Sequence, residues 1–227
     1  MKIVKTIKES LLAVALIVLT AHCTKDITEF GNDAAISGTV KDQSGDIVAG
    51  NITTNNLVVQ ALGENDLVAT DMRVKGDGTF QNSRLFPKKY KIWINGPVSP
   101  TSDTLLVDFS LNRKVEQDIT VDPFISIKMP TTSNVTDSSV DVSFQMTPNG
   151  ANTVSAREIY CSTNPYPDAS TGSGPFYDTK LVAVDTDMGT VRITGLTPKQ
   201  NYYIRIGAQA TDASGFNYSA QVLISTL

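Results

Sequence analysis

The stretch VRITGLTPKQNYYIRIGA, residues 191–208, contains two runs in which apolar residues alternate with polar ones, separated by a turn. The alternating runs lie at 191–194 and 202–206, and such a period of two is typical of strands with one buried face. The Gly and Pro between them are typical of a tight turn. The stretch therefore predicts strand, turn, strand, with Tyr202 or Tyr203 in the core and the other ring outward.

Short runs of the same kind recur along the rest of the chain, punctuated by Gly, Asn, Asp and Pro. They lie at 35–40, 57–62, 90–94 and 105–109, and again at 124–127, 140–144 and 158–162. No 12-residue stretch after position 30 has a capped helical apolar face. Many short strands with regular turns predict an all-β protein built from sandwiches.

The turn at 195–198, Gly-Leu-Thr-Pro, leads into the strand that starts with Tyr202 and Tyr203. This arrangement resembles the E-to-F corner of fibronectin type III domains, where the first Tyr of the strand fills the core. The resemblance covers about 18 residues directly, and the number of surrounding strands extends it to Leu227. It implies a fibronectin type III-like β-sandwich in the second half of the chain.

Three segments characterise the first half: SGTVKDQSG at 37–45, GDGTF at 76–80 and LFPKKYKI at 85–92. Their succession resembles the carboxypeptidase-regulatory-like, or transthyretin-like, β-sandwich from about Ala34 to Pro123. Lysines replace the Gly that this family often has after Leu-Phe-Pro. The resemblance concerns architecture, because that family spaces or stabilises other domains and brings no catalytic residues.

A new series of strands starts after Pro123, so we expect the domain boundary between Asp122 and Lys128. The expected domains are a regulatory-like sandwich at 34–123 and a fibronectin type III-like sandwich at 124–227. A polar segment without periodicity, residues 23–33, precedes them and is expected to be a tether.

The N-terminus has the layout of a secretory signal: three lysines in the first eight residues, the nine apolar residues Leu11–Leu19, then Thr-Ala-His-Cys at 20–23. Nine residues are too few to span a bilayer, which needs about 20. A cysteine at the cut resembles the lipobox of bacterial lipoproteins, although His22 stands where a small residue is usual. We therefore expect residues 1–22 to be a signal peptide and Cys23 to be acylated; the alternatives are an ordinary cut near Ala21 and a short uncleaved anchor.

Composition restricts the chemistry of the mature chain. The 227 residues include 19 basic and 23 acidic side chains, one His and two Cys, and removing the first 22 residues brings the net charge to about −6. The single histidine, His22, leaves with the signal. Its loss excludes catalytic triads that need histidine and metal sites with histidine ligands. The two remaining cysteines are Cys161 and the N-terminal Cys23, which excludes a cysteine-clustered zinc site and a disulfide within the chain. The acidic chain has no basic stripe, which disfavours nucleic-acid binding.

The order of lipobox, tether, Leu-Phe-Pro sandwich and fibronectin-like sandwich resembles a two-domain family of Bacteroidetes outer-membrane lipoproteins. Genes of that family lie beside starch-utilisation-type transporters and glycan-binding lipoproteins. The resemblance implies an accessory role in glycan capture at the outer membrane, with those proteins as partners. Thr24-Lys25-Asp26 resembles the export signals of surface lipoproteins, which favours the cell surface over the periplasmic face.

The loop at 164–180 is long, rich in Pro, Gly and Ser, and carries three aromatic rings. Long loops in compact domains are usually functional or disordered. Rings stack on the C–H faces of sugars while carboxylates bind the hydroxyls, so the loop is the candidate ligand site. Its candidate ligand-binding residues are Tyr166, Asp168, Phe176, Tyr177 and Asp178. The alternative is that the rings fold back and cover the sandwich.

Catalysis and metal binding find little support in the sequence. Carboxylate pairs that hydrolyse glycosides have candidates here: Asp103 with Asp108, Asp185 with Asp187, and Asp168 with Asp178. All lie in polar turns or at strand edges, where Asp is expected for turn chemistry. Asp185-Thr186-Asp187 and Gly76-Asp77-Gly78 both lack the EF-hand spacing for Ca²⁺. We expect no catalytic residue, no metal and no cofactor.

Trp93 is the only tryptophan and lies on the polar side of its strand, since alternation puts Tyr90, Ile92 and Ile94 on the opposite face. We expect Trp93 to be buried against the second sandwich; the alternative is that it forms a platform for a ligand. Cys161, in a strand, is expected to be small, buried and unreactive.

Taken together, these features predict a non-catalytic, membrane-anchored accessory of glycan capture. The alternative, from a different functional class, is a structural or adhesive spacer of a surface complex.

Overall fold

The computed structural model describes residues 31–51, 55–100, 104–169 and 179–227. Within them, 17 strands form four sheets and no helix occurs, hence none that is long and apolar enough to cross a membrane. The sheets pair as two β-sandwiches, one in each half of the chain, which confirms the all-β fold class. The lipobox and Cys23 lie outside the described residues.

The first sandwich contains eight described strands. Their bounds are β1 Ala34–Asp42, β2 Val58–Gly63, β3 Thr70–Arg73, β4 Thr79–Leu85, β5 Lys89–Asn95, β6 Leu105–Asp108, β7 Lys114–Glu116 and β8 Ile119–Val121. One sheet has the order β4-β1-β7, with β8 also paired with β1 in parallel; the other has the order β3-β2-β5-β6. We call the second of these the Trp93 sheet.

The β5 strand confirms the predicted alternation. Tyr90, Ile92 and Ile94 are at most 6% exposed, whereas Lys91 on the other face is exposed and Trp93 is partly exposed. The inward row packs between the two sheets, because burying apolar side chains from both sheets is what holds a sandwich together.

The second sandwich contains nine described strands. Their bounds are β9 Ile125–Ile127, β10 Thr131–Ser133, β11 Ser139–Pro148, β12 Val154–Ser162, β13 Lys180–Ala183, β14 Met188–Thr194, β15 Asn201–Ala210, β16 Phe216–Tyr218 and β17 Val222–Ser225. One sheet has the order β10-β11-β14 with β9 on β11, and the other has the order β13-β12-β15-β16 with β17 on β15.

The predicted corner between β14 and β15 is formed. Tyr202 is fully buried in the second core, and its hydroxyl oxygen accepts a hydrogen bond of 2.9 Å from the backbone N–H of Thr197. Tyr203 is partly exposed on the opposite face of β15. This confirms that one ring of the pair enters the core and the other points outward.

The two cores are separate clusters along the chain. Buried apolar residues of the first end at Val121, and those of the second begin at Ile125. Cys161 is completely buried in the second core, as expected of a small apolar side chain.

Candidate functional site

The base of the predicted binding loop leaves β12 at Ser162 and runs along the contact between the two sandwiches. The Tyr166 N–H donates to Gln221 Oε1 at 2.6 Å, and Tyr166 adopts a left-handed backbone with φ of +57°. Its half-buried ring lies against Gly76, in the turn before β4. A Cβ at position 76 would come within 2.5 Å of the ring, so the close approach requires glycine there.

Asp168, predicted to face a ligand, lies in the interior with 1% of its surface exposed. It lies near Arg205 on β15, and their opposite charges attract. The sequence alone did not indicate this position, because a polar residue in a Pro- and Gly-rich loop is expected to be solvated. Phe176, Tyr177 and Asp178 lie outside the described residues.

Arg205 is the central side chain of the contact between the sandwiches. It is fully buried; its Nε donates to Ser219 O at 3.0 Å and its Nη2 donates to Gly50 O of the first sandwich at 2.8 Å. Among the described residues, its Nη1 has no hydrogen-bond partner. Burial lowers the pKa of Arg205 to about 10, with the neighbouring Tyr218 and Asp168 opposing that shift, so the guanidinium stays charged at neutral pH.

Tyr218 on β16 connects the same parts. Arg205 Cζ lies 4.4 Å from the centroid of its ring, a cation–π contact. Its hydroxyl oxygen accepts from the Ala169 N–H at 3.2 Å and from Asn51 Nδ2 at 3.3 Å, and its carbonyl accepts from the Ala49 N–H at 3.3 Å. Burial raises the pKa of Tyr218. We call Arg205, Tyr218 and the groups bonded to them the junction.

Two further side chains complete the junction. Asn217 accepts from the Ile125 N–H at 3.1 Å and donates through Nδ2 to Pro97 O at 2.9 Å. Tyr160 packs on Tyr218, with 6.2 Å between ring centroids, and burial raises its pKa. Sequence reasoning did not find these residues; the one available signal was a charged residue between two apolar ones, Ile204-Arg205-Ile206.

The loop is also attached at its far end. Ser162 Oγ and Thr179 Oγ1 are hydrogen-bonded at 2.7 Å, so the two sides of the loop are tied together where they leave the sheet. On the N-terminal side of the loop, the Ala169 N–H donates a hydrogen bond to the Tyr218 hydroxyl oxygen. The described residues that flank 170–178, Ala169 and Thr179, are therefore each held by a hydrogen bond.

Two carboxylates of the candidate catalytic pairs, Asp108 and Asp187, instead make local hydrogen bonds and an ion pair. Asp108 accepts from the N–H and hydroxyl of Ser110 at 2.9 and 2.6 Å, and Asp187 pairs with Arg157 at 2.6 Å. Asp185 is exposed, while Asp103 lies outside the described residues.

The other acidic turn has the same character. Asp77 accepts from the N–H and hydroxyl of Thr79 at 2.9 and 2.7 Å, as in an Asx turn. Within the described part of the chain, no three His, Cys, Asp or Glu side chains cluster closely enough to hold a metal ion.

Trp93 is not part of the junction. It lies beside a surface groove of about 290 Å³ lined entirely by first-sandwich residues, among them Thr104, Leu105 and Ile119. The apolar contact cluster between the sandwiches consists instead of Ala49, Tyr160 and Tyr218, with Ile47 and Phe216 packed against it. The anchor that the sequence predicted at Trp93 is thus supplied by Tyr218.

Among solved structures, the chain is similar in fold to a DUF3823 family protein from Bacteroides ovatus, with a TM-score of 0.69 and 17% identity over 86% of this chain and 100% of that one. A DUF3823 family protein from Parabacteroides merdae gives 0.67 and 21% over 84% and 98%. A candidate carbohydrate-binding protein from Bacteroides uniformis gives 0.66 and 21% over 86% and 100%. No protein-family model matches the chain, and no curated protein does. At these identities the similarity concerns the fold: two β-sandwiches in one chain.

Proposed function

We propose that this chain is a non-catalytic lipoprotein of the outer membrane that assists glycan capture and uptake at the cell surface. The expected partners are a transporter and glycan-binding lipoproteins of the same locus. The fold that it shares with a candidate carbohydrate-binding protein, over the whole of that chain, supports the proposal. The absence of histidine after residue 22 supports the non-catalytic part of the proposal.

The observation that carries the proposal is the attachment of the aromatic loop to the junction. Ala169 is bonded to the buried Tyr218, and Ser162 is bonded to Thr179, on either side of Phe176 and Tyr177 in the sequence. Binding residues are commonly placed on loops that a rigid scaffold positions, because a fixed base lowers the entropy lost on binding.

The test of this site is the double substitution of Phe176→Ala and Tyr177→Ala in the full chain. We expect at least about tenfold weaker retention in gels containing a polysaccharide that retains the unaltered protein, at unchanged thermal stability. Tyr203→Ala, which removes a partly exposed ring elsewhere in the second sandwich, is the control. A chain that no polysaccharide retains would contradict the proposed function.

The lipid anchor has its own test. Cys23→Ala removes the thiol that the diacylglycerol would occupy, so we expect the variant in the soluble fraction and the unaltered chain in the outer membrane. Mass spectrometry of the mature N-terminus should show residues 1–22 removed and Cys23 acylated. An unmodified Cys23 would contradict the proposal.

The spacer function is the second candidate, and the junction favours it. A buried arginine that bonds both sandwiches fixes their relative orientation, as a spacer requires. A spacer needs no glycan, so loss of polysaccharide binding on substitution at 176 and 177 supports capture. Absence of binding together with co-purification of outer-membrane partners supports the spacer.

A further inference from the structure

The outer side of the Trp93 sheet carries a row of side chains in register. Gln60 on β2 is paired directly with Trp93 on β5 and, on its other side, with Asp71 on β3. Residues directly opposite each other have Cβ atoms about 4.5–5.5 Å apart. Asn95 lies two residues beyond Trp93 on the same face. The only tryptophan of the chain therefore stands beside two amides and a carboxylate.

Hydrogen bonds hold these polar groups in place. Asn95 Nδ2 donates to Gln60 Oε1, and Gln60 Nε2 donates to Asp71 Oδ1 at 2.8 Å. The row uses one of the two amide hydrogens on Gln60 Nε2 and one of the two carboxylate oxygens of Asp71. Each group keeps hydrogen-bonding capacity beyond the row, and Asp71 and Asn95 are exposed. Such mutual support fixes side-chain orientation before a ligand arrives.

The same face continues into a groove of about 590 Å³. Leu62, Lys91 and Leu106 form the next outward row, about 7 Å along the strands from Gln60 and Trp93. The turn at 63–66 closes the groove at its end. A volume of this size lies within the range of small-molecule sites, roughly 300–1,000 Å³. The face is therefore a platform that extends into a pocket.

The chemistry of the face indicates its ligand. An aromatic ring offers an apolar surface, and the Gln60–Asp71–Asn95 row offers donors and acceptors. Opposite charges on the face are balanced: Lys89 lies directly opposite Asp108, Arg73 lies two residues beyond Asp71 on β3, and Lys91 lines the same groove as Glu64. A strongly charged ligand gains little from such a surface. A neutral sugar chain, with apolar C–H faces ringed by hydroxyls, matches all three properties.

We propose that the outer face of the Trp93 sheet binds a neutral oligosaccharide, with Trp93 stacked on one pyranose ring and Gln60, Asp71 and Asn95 bonded to its hydroxyls. Neighbouring sugar units would occupy the groove beside Leu62 and Leu106. This inference rests on the proposed function and assigns it a site in the first sandwich, separate from the loop at 164–180.

The single tryptophan gives a direct readout, because all tryptophan emission of the chain comes from Trp93. The full chain is titrated with amylopectin, xylan and galactomannan as neutral probes and with polygalacturonate as the anionic one. We expect a saturable change in emission with at least one neutral polysaccharide, and protection of Trp93 from acrylamide quenching. Polygalacturonate should cause neither.

Variants locate the contact. Trp93→Ala should weaken retention by the responding polysaccharide at least about tenfold, Trp93→Phe should retain most of the binding, and Gln60→Ala should weaken it less than Trp93→Ala. Leu223→Ala, which removes an exposed side chain from the second sandwich, is the control. If Trp93→Ala fails to fold, the emission and acrylamide-quenching titrations of the unaltered chain still show whether the polysaccharide contacts Trp93.

The outcomes separate this site from the general function. If no probe binds the unaltered chain, the proposed function and the site both fail. If a neutral polysaccharide binds while emission, quenching and the Trp93→Ala affinity stay unchanged, the site is wrong and glycan binding stands. A response to polygalacturonate alone overturns the assignment of a neutral ligand.

Discussion

Tyr202 shows how one hydroxyl group can stabilise a sandwich. Its oxygen accepts the Thr197 N–H in the corner before β15, while its ring fills the second core. The corner thus connects the turn that Gly195 and Pro198 predict to the packing of the core. Tyr203, its neighbour in sequence, takes no part in that core.

Removing this hydroxyl group should cost stability without changing the fold. Tyr202→Phe keeps the ring and removes the partly buried hydrogen bond to the Thr197 N–H, so we expect the free energy of unfolding to fall by about 0.5–1.5 kcal/mol. Urea unfolding followed by circular dichroism measures the change. Tyr203→Phe is the control and should stay within about 0.5 kcal/mol of the unaltered chain; equal effects of the two substitutions would contradict the role of the corner.

At the scale of elements, Asp141 on β11 and Arg192 on β14 tie neighbouring strands together. Arg192 Nε and Nη2 donate to the two carboxylate oxygens at 2.6 and 2.9 Å, and Asn134 Nδ2 donates at 2.7 Å. The hydrogen bond with Arg192 is the largest cause that lowers the pKa of Asp141, to about 2. In the unfolded chain we expect the ordinary value, about 3.9.

This difference in pKa fixes the direction of the acid response. A carboxyl group with a lowered pKa in the folded state contributes stability above its unfolded value, and that contribution is lost as the pH falls through the folded value. Asp141→Asn should therefore be less stable than the unaltered chain above about pH 4, and the difference should shrink towards pH 2. Urea unfolding at pH 6, 4, 3 and 2 measures it. Asp185→Asn, at an exposed position, is the control; a difference that does not change with pH would contradict the argument.

The contact of the loop base with the turn before β4 connects one element from each sandwich. Gly76→Ala would bring a Cβ within 2.5 Å of the Tyr166 ring, so we expect a loss of about 1–3 kcal/mol from overpacking. In a Tyr166→Gly background both the ring and the Tyr166 Cβ, which would lie 2.6 Å from the new Cβ, are absent, so the clash is gone and the loss should be smaller by at least about 0.5 kcal/mol. A double-mutant cycle measures the coupling.

Gly189→Ala is the control for that cycle, because a Cβ there meets Phe144 only at an ordinary 3.4 Å. Strictly additive effects at positions 76 and 166 would show that the ring does not press on the turn.

The sequence predicted the elements better than their contacts. Alternation correctly gave the inward row of β5 and the corner at Tyr202, because both depend on residues close together in the chain. It did not predict that Asp168 is buried or that Arg205 bonds Gly50, since those partners meet only when two sandwiches take one orientation. Trp93 was correctly placed on the outer face, yet its neighbours Gln60 and Asp71 followed only from the strand register.

At the scale of the whole molecule, the junction determines whether the two sandwiches behave as one body. Arg205 and Asn217 each bond to both sides of it, and the Tyr218 carbonyl accepts the Ala49 N–H of the first sandwich. These contacts are buried in the intact chain, whereas separating the sandwiches would expose their donors and acceptors to water. Each hydrogen bond therefore contributes about 0.5–1.5 kcal/mol to the coupling, and one to a charged group more.

We therefore expect the full chain to unfold in a single cooperative transition, with equal calorimetric and van't Hoff enthalpies. Tyr218→Ala removes the ring over which Arg205 lies and the hydroxyl that holds Ala169, at a cost of about 3–5 kcal/mol to the second sandwich. The first sandwich keeps its own core, so the variant should show two transitions, the earlier one from the second sandwich. Differential scanning calorimetry measures both, with Tyr203→Ala as the control. Two transitions in the unaltered chain, or a single one that Tyr218→Ala merely shifts, would mean that the sandwiches are not coupled through Tyr218.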